Sequence, residues 1–171
     1  MNKYSYRPYR EEFPQIYEKE KELIQRNIKG DFQIEHVGST ATPGLGGKSI
    51  IDIMIGTKKD KMKDIVKQAE KLGYKYIPQA SYPNRLFLHK PYPEDFDKET
   101  TYHLHVANID SDDWKDTIAF RDYLRAHPED LEKYAQIKQQ AANAANEDKE
   151  TYMRIKESFI QEILRKTVTS N

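Results

Sequence analysis

Cysteine is absent from this sequence. Its absence excludes disulfides, zinc-thiolate centres and a cysteine nucleophile, and it fits a reducing compartment. Charge of one sign is also lacking, since 28 Lys+Arg face 28 Asp+Glu. No excess exists to draw nucleic acid or an anionic membrane nonspecifically, so neither is expected as a partner. Long apolar runs are missing, and none approaches the ~18 residues of a membrane helix. The opening residues, MNKYSYRPYREEF, lack the apolar stretch of a signal peptide. The expectation is a soluble, cytoplasmic protein. Glycine is scarce, with seven among 171 residues.

Charged residues make up 33% of the chain, and mean hydropathy is −0.94. Such values border on disorder, but 12 Tyr, 6 Phe and one Trp supply large surfaces to bury. The length suits one domain over residues 1–171. Five of the seven glycines, Gly38, Gly44, Gly46, Gly47 and Gly56, crowd into one short stretch. That stretch, IEHVGSTATPGLGGKSIIDIMIG (34–56), carries only Glu35, Lys48 and Asp52 as charges. Backbone freedom and low charge coincide there, which marks it as the region to explain.

Apolar spacing predicts a helix over 11–28, from Phe13, Ile16, Tyr17, Leu23, Ile24 and Ile28. Phe32–Val37 reads as a short strand, and 38–49 as a loop with one helical turn opening at Thr42-Pro43. Ile50–Ile55 reads as a strand covered on both faces. Met62, Ile65, Val66, Ala69 and Leu72 mark a second helix, closed by Gly73. Strands follow at 74–77, 85–89 and 102–107, with an acidic loop at 91–100. Ser111 is expected to cap a helix running to Ala126, where His127-Pro128 breaks it. Two more helices complete a tail from about 112, with a corner at AANAAN (141–146). The fold class is α+β.

A strand that ends at Gly38-Ser39 lets backbone N–H groups approach an anion. Gly47-Lys48-Ser49 imitates the end of a phosphate-binding loop, but the upstream glycine it requires falls on Thr42. Asp52 is the one acid in its strand and shares a face with Ile50 and Met54. It is read either as a strand acid bonded to a nearby terminus or as a functional carboxylate, since a buried charge is costly unless paired. His103 and His105 share a strand face, with Leu104 and Val106 on the other. If that strand neighbours the Asp52 strand, two imidazoles and a carboxylate converge. Such a set favours zinc or another transition metal over magnesium. The alternatives are two hydrogen-bonded histidines, or one that contacts substrate.

Several blocks of the chain resemble the GrpB family. They are Ile34–Ala41 (IEHVGSTA), Pro43-Gly44-Leu45, Lys48, Ile51-Asp52-Ile53, His103-Leu104-His105-Val106 and Phe120–Pro128 (FRDYLRAHP). Tyr134 with Lys138, and Tyr152 with Lys156-Glu157-Ser158-Phe159-Ile160, extend the match over roughly residues 6–166. The resemblance implies a nucleotidyltransferase-like mixed sheet flanked by helices, with a helical C-terminal region. It implies that Gly38-Ser39 holds nucleotide phosphates and that Asp52 is the first metal-binding acid. Met54 stands where the superfamily has its second acid, a departure from two-metal catalysis. The family's fusion to a coenzyme A biosynthesis kinase points to phosphorylated metabolites.

The candidate site is therefore Asp52 and His105 as catalytic groups, with Asp52, His103 and His105 as ligands for magnesium, manganese or zinc. Gly38, Ser39, Lys48, Arg85 and Arg121 are the phosphate-binding candidates, because arginine suits bidentate contacts. His36 is read as a core histidine, Glu35 as a partner for a helix cation, and Lys138 and Lys156 as solvated helical lysines. The N-terminal Tyr4, Tyr6 and Tyr9 either stack a nucleotide or pack on the protein. Ile155, Phe159, Ile160, Ile163 and Leu164 form a stripe facing the core or a second copy in a homodimer. Three functions stay open. The first is nucleotidyl or phosphoryl transfer to a small phosphorylated ligand. The second is a non-catalytic nucleotide or coenzyme A precursor binding module. The third is an interaction protein acting through its tail.

Overall fold

A computed structural model of the chain describes residues 6–91, 101–144 and 149–169. Tyr4, residues 92–100 of the expected acidic loop and residues 145 and 146 of the expected corner lie outside these. The elements run α1 (Phe13–Asn27), β1 (Gln33–Val37), β2 (Ile51–Thr57), α2 (Met62–Glu70), β3 (Lys75–Tyr76), β4 (Arg85–Pro91), β5 (Thr101–Asn108), α3 (Asp112–Ala126), α4 (Pro128–Ala144) and α5 (Lys149–Thr169). The strands form one mixed sheet in the order β1-β2-β5-β4-β3. β2 and β5 run parallel, and the other neighbours are antiparallel. The α+β class with a helix-flanked mixed sheet is what the structure has.

Period-two alternation sorts the central strands onto two faces. Ile51, Ile53 and Ile55 of β2, Leu88 of β4 and Leu104 and Val106 of β5 point one way. They pack against Phe13, Ile16, Tyr17 and Ile24 of α1 and Met62, Ile65 and Val66 of α2. Pro14 in the first turn suits the start of α1. Gly73, at φ +90°, turns the chain out of α2 as a residue with a side chain would not readily do. Under this face Glu20 is buried and is satisfied by the Tyr74 hydroxyl at 2.8 Å and by the Lys90 ammonium.

The opposite face meets the helical tail. Val37, Met54 and Ala107 pack on Trp114 of α3. α4 and α5 close against α3 through Leu124, Tyr134, Phe159 and Ile163, so part of the expected α5 stripe is buried within the chain. The break at His127-Pro128 separates α3 from α4 as expected.

Two local expectations are corrected. The helical turn is a 3-10 turn at Ser39–Ala41, not one opening at Thr42-Pro43. Gly38 launches it, and the Ala41 and Thr42 N–H groups donate back to the Gly38 and Ser39 carbonyls. Ser111 precedes α3 but does not cap it through its side chain. Its hydroxyl donates instead to the Asn108 carbonyl at 2.6 Å. No helix among the described residues is long and apolar enough to cross a membrane.

Candidate functional site

The glycine-rich segment folds back on the first turn of the chain. Arg7 and Gly47 exchange backbone hydrogen bonds, and the Gly46 N–H donates to the Tyr6 hydroxyl at 3.1 Å. Tyr6 and Arg7 thus pack along the loop, which is the packing reading of the aromatic arm. Gly38 adopts φ 75°, ψ −171°, a conformation that essentially only glycine holds. A Cβ there would lie 2.5 Å from Asp52 Oδ2, so the bare backbone of β1's exit is pressed against the carboxylate. Gly47 makes a second close approach, because a Cβ would sit 2.5 Å from Ser39 Oγ and 2.8 Å from Lys138 Nζ.

The parallel pairing of β2 with β5 sets Asp52 opposite His103 and Met54 opposite His105. Asp52 Oδ1 lies 3.2 Å from His105 Nε2 and 3.5 Å from His103 Nδ1. On its other nitrogen, His105 Nδ1 accepts from Arg85 Nε at 3.2 Å. Arginine only donates, so His105 carries its proton on Nε2 and donates it to Asp52. Burial lowers the His105 pKa, opposed by the bond to Asp52 and aided by Arg85, so the ring is neutral near pH 7. Burial alone would raise the Asp52 pKa. The hydrogen bonds from His103 and His105 outweigh it and hold the carboxyl well below the usual carboxylate range.

Asp52, His103 and His105 offer ligand atoms that all lie within 4.8 Å of one another. One carboxylate and two imidazoles suit zinc or manganese better than magnesium. The partner on the far nitrogen of His105 points the other way. A ligating histidine normally donates its far N–H to an acceptor, whereas His105 Nδ1 faces the Arg85 donor. Met54 is fully buried against Val37, Ala107 and Trp114 and adds no oxygen. As arranged, the cluster is a hydrogen-bonded Asp–His pair with a second histidine beside it, and it does not fit a prebuilt metal centre.

A cavity of about 540 Å³ opens over this cluster. Its floor includes Gly38, Ser39, Asp52, His103 and His105, and α3, α4 and α5 supply the walls. Two residues read as solvated lysines are walls of this cavity. Lys138 is only 6% exposed, and its Nζ donates to the Gly46 carbonyl at 3.0 Å. Burial first, then the nearby Lys156 and Lys48, push its pKa down to about 7. Lys156 lies over the Tyr152 ring at 4.8 Å and Lys48 over the same ring at 5.2 Å. Lys138 lies 5.7 Å from the Tyr134 ring. The signal for both helical lysines was a repeated spacing: each follows a tyrosine by four residues, one helical turn, which sets the ammonium against the ring.

Other candidates stand elsewhere. Arg121 borders the cavity, but its guanidinium donates to Glu35 at 2.6 Å, to the His36 carbonyl at 2.8 Å and to Asp122. That ties α3 to β1. His36 stacks on Tyr17 at 4.4 Å and donates to Thr40 Oγ1, and burial pushes its pKa down to about 4. His127 stacks on Tyr123 at the end of α3. His89 faces His103 across β4 and β5, with its Nδ1 buried and unpartnered among the described residues.

Against known proteins, the family model described as GrpB protein matches residues 5–166. A UPF0157 protein of Pseudomonas aeruginosa is 34% identical over 160 residues, which are 92% of this chain and 65% of that one. The chain thus spans just under two thirds of that relative's length. The glutamate-rich protein GrpB of Alkalihalophilus pseudofirmus is 32% identical over 162 residues, 90% of each chain. In structure, the conserved protein GrpB from Enterococcus faecalis superposes with a TM-score of 0.80 at 27% identity, over 97% of this chain and 98% of that one. The Cid1 poly(U) polymerase, in a structure bound to MgATP, reaches a TM-score of 0.50 at 13% identity, over 79% of this chain and 42% of that one. That likeness concerns the fold alone.

Proposed function

The chain belongs to the GrpB family, and from that premise we propose that it transfers a nucleotidyl or phosphoryl group to or from a small nucleotide or other phosphorylated metabolite. One observation carries the reading: an ionised Asp52, held by His105, sits at the Gly38-Ser39 turn on the floor of a cavity walled by lysines. The volume of about 540 Å³ matches a small ligand rather than a nucleic acid. In the proposed reaction Asp52 accepts from His103 Nδ1 and so leaves His103 Nε2 free to face the attacking hydroxyl. His105 fixes that carboxylate through its Nε2 proton. His103, more exposed than His105, takes the hydroxyl proton as the hydroxyl oxygen bonds phosphorus, while pyrophosphate or the nucleoside diphosphate leaves with the electron pair of the broken P–O bond. Ser39 and Lys48 hold the phosphate, and Arg85 positions His105.

The test is release of phosphate or pyrophosphate from nucleoside triphosphates and coenzyme A precursors, with and without Mg²⁺, Mn²⁺ and Zn²⁺. Asp52→Asn should lower turnover by about 10²–10⁴-fold while the melting temperature moves little. If Asp52→Asn unfolds the protein and activity follows the folded fraction, Asp52 is structural. A second reading, a binding module without turnover, is favoured by the complete burial of Met54 where a second acid would stand. It predicts ligand-induced thermal shifts with no phosphate released. Metal analysis of tag-free protein addresses the ion: one zinc or manganese per chain, lost in His103→Ala, would place it on Asp52, His103 and His105.

A further inference from the structure

Three ammonium groups from three parts of the chain line the cavity that holds Asp52. Lys138 comes from α4, Lys156 from α5 and Lys48 from the glycine-rich loop. An ammonium has three donors. Among the described residues Lys138 has one hydrogen-bond acceptor, the Gly46 carbonyl, and Lys156 has no hydrogen-bond or ion-pair partner. Asp52 lies within electrostatic reach of both and already accepts from His105, and Glu157 acts on Lys156 as well. With Arg121 paired to Glu35 and Asp122, the cavity lining otherwise carries Lys48, Arg85, Lys138 and Lys156 against Asp52 and Asp116. Burying unpaired ammoniums beside one another is costly. Such a cost at the wall of an open cavity is offset when the ligand brings the missing negative charge.

We propose that Lys138 and Lys156, together with Lys48, form a metal-free seat for a di- or triphosphate chain, supplying the charge neutralisation that divalent ions supply in two-metal sites. The inference rests on the transferase reading only for the location of the site. Lysines are point charges that follow tetrahedral oxygens freely, whereas a planar carboxylate is better matched by arginine. Lys138 and Lys156, two ammoniums without an ion-pair partner among the described residues, exceed what one monoanion would need. The Ser39 hydroxyl, which crowds the same space over Gly47 as Lys138 Nζ, adds a donor to the seat. The Tyr134 and Tyr152 rings hold the lysines from behind without neutralising them. The arrangement also predicts a proton. Lys138 titrates near 7 in the free protein, so above that pH a polyanion that favours its charged form must draw a proton in.

Isothermal titration of the full, tag-free chain with inorganic tripolyphosphate, in EDTA at pH 8, tests the seat. Two buffers of different ionisation enthalpy report the proton. The expected result is binding without metal, tighter than for inorganic phosphate, with uptake approaching one proton per site. Lys138→Met and Lys156→Met should each weaken binding at least tenfold, and Lys138→Met should remove the uptake. Binding that appears only when Mg²⁺ is added overturns the proposal, as does unchanged affinity in both variants. Circular dichroism checks that the variants fold. If Lys138→Met does not fold, the less buried Lys156→Met decides, and unchanged affinity there overturns the seat. The two readings fail separately. Metal-free binding without any turnover leaves the seat and removes the transferase, while metal-dependent turnover without metal-free binding does the reverse.

Discussion

The two faces of the sheet come from the same strands and are built on opposite terms. Toward α1 and α2, Ile51, Ile53, Ile55, Leu104 and Val106 are fully buried in an apolar layer. One residue over, Asp52, His103 and His105 face a cavity lined by cations. The first face stabilises the fold through removal of apolar surface from water, at about 25 cal/mol per Å². The second holds a carboxylate, two imidazoles and buried ammoniums, each of which costs free energy to desolvate. Yet the second face is not uniformly polar. Val37, Met54, Ala107 and Trp114 make a dry patch directly beside the acid. The polar groups therefore occupy one end of that face only, and the apolar end anchors α3 so that α4 and α5 can close over the rest.

The largest effect should come from giving the dry face what the other face tolerates. Ile53 is fully buried, and Ile53→Asp would place an acid there with no donor to meet it. The expected loss is at least about 4 kcal/mol, most of the margin of a domain at the low end of about 5–15 kcal/mol. Urea denaturation followed by circular dichroism measures it. A folded Ile53→Asp with an unchanged midpoint would mean that the two faces do not differ as described.

A smaller, more local effect should follow from Gly38→Ala. The added methyl would collide with Asp52 Oδ2, and φ 75° would be strained for alanine. Strain of this kind costs about 1–3 kcal/mol, and the carboxylate must move to relieve it. The melting temperature should fall by several degrees while ligand-induced thermal shifts are lost altogether. If both fall in proportion, Gly38 supports the fold and not the cavity.

The sequence carried the strand half of this site because alternation is a local property. Asp52, His103 and His105 each sit between apolar neighbours, so their common face follows from period two once β2 and β5 lie side by side. That they do lie side by side, in parallel, is a long-range fact that no local pattern contains. The helical half was less legible. A lysine on a helix is solvated unless something covers it, and what covers Lys138 is a loop 92 residues away in the chain. The repeated Tyr–Lys spacing in α4 and α5 hinted at a shared role without saying which way it faced. Arg121 shows the reverse case. It stood out as a cation in a family-matching helix, but Glu35, itself recognisable as seeking a helix cation, engages it. The Gly38 turn was placed three residues late because Thr42-Pro43 offers helix-start chemistry, whereas the tertiary contact with Asp52 dictates where the chain turns.

The finest distinction between the faces is one of sign, and Lys138 exposes it. Removing a core group from the dry face lowers stability at every pH. Removing the ammonium of Lys138 should raise stability, and only over part of the range. Its folded-state pKa is depressed from 10.5 to about 7. Below about pH 7 both folded and unfolded chains are protonated, and the folded state carries the whole cost of the buried charge. Between about 7 and 10.5 the unfolded chain binds more protons, so stability rises with pH. Above 10.5 the cost is gone. Lys138→Met removes it at all pH values while keeping an unbranched side chain of similar length. Its advantage should be largest at pH 6, on the order of a few kcal/mol, and should shrink steadily towards pH 10. Melting curves at pH 6, 7.5 and 9 measure this, and a variant that is less stable at pH 6 would show that the ammonium is already satisfied. Added tripolyphosphate should then invert the order, stabilising the wild type more than the variant, because the same buried charge that weakens the free protein is what the ligand binds.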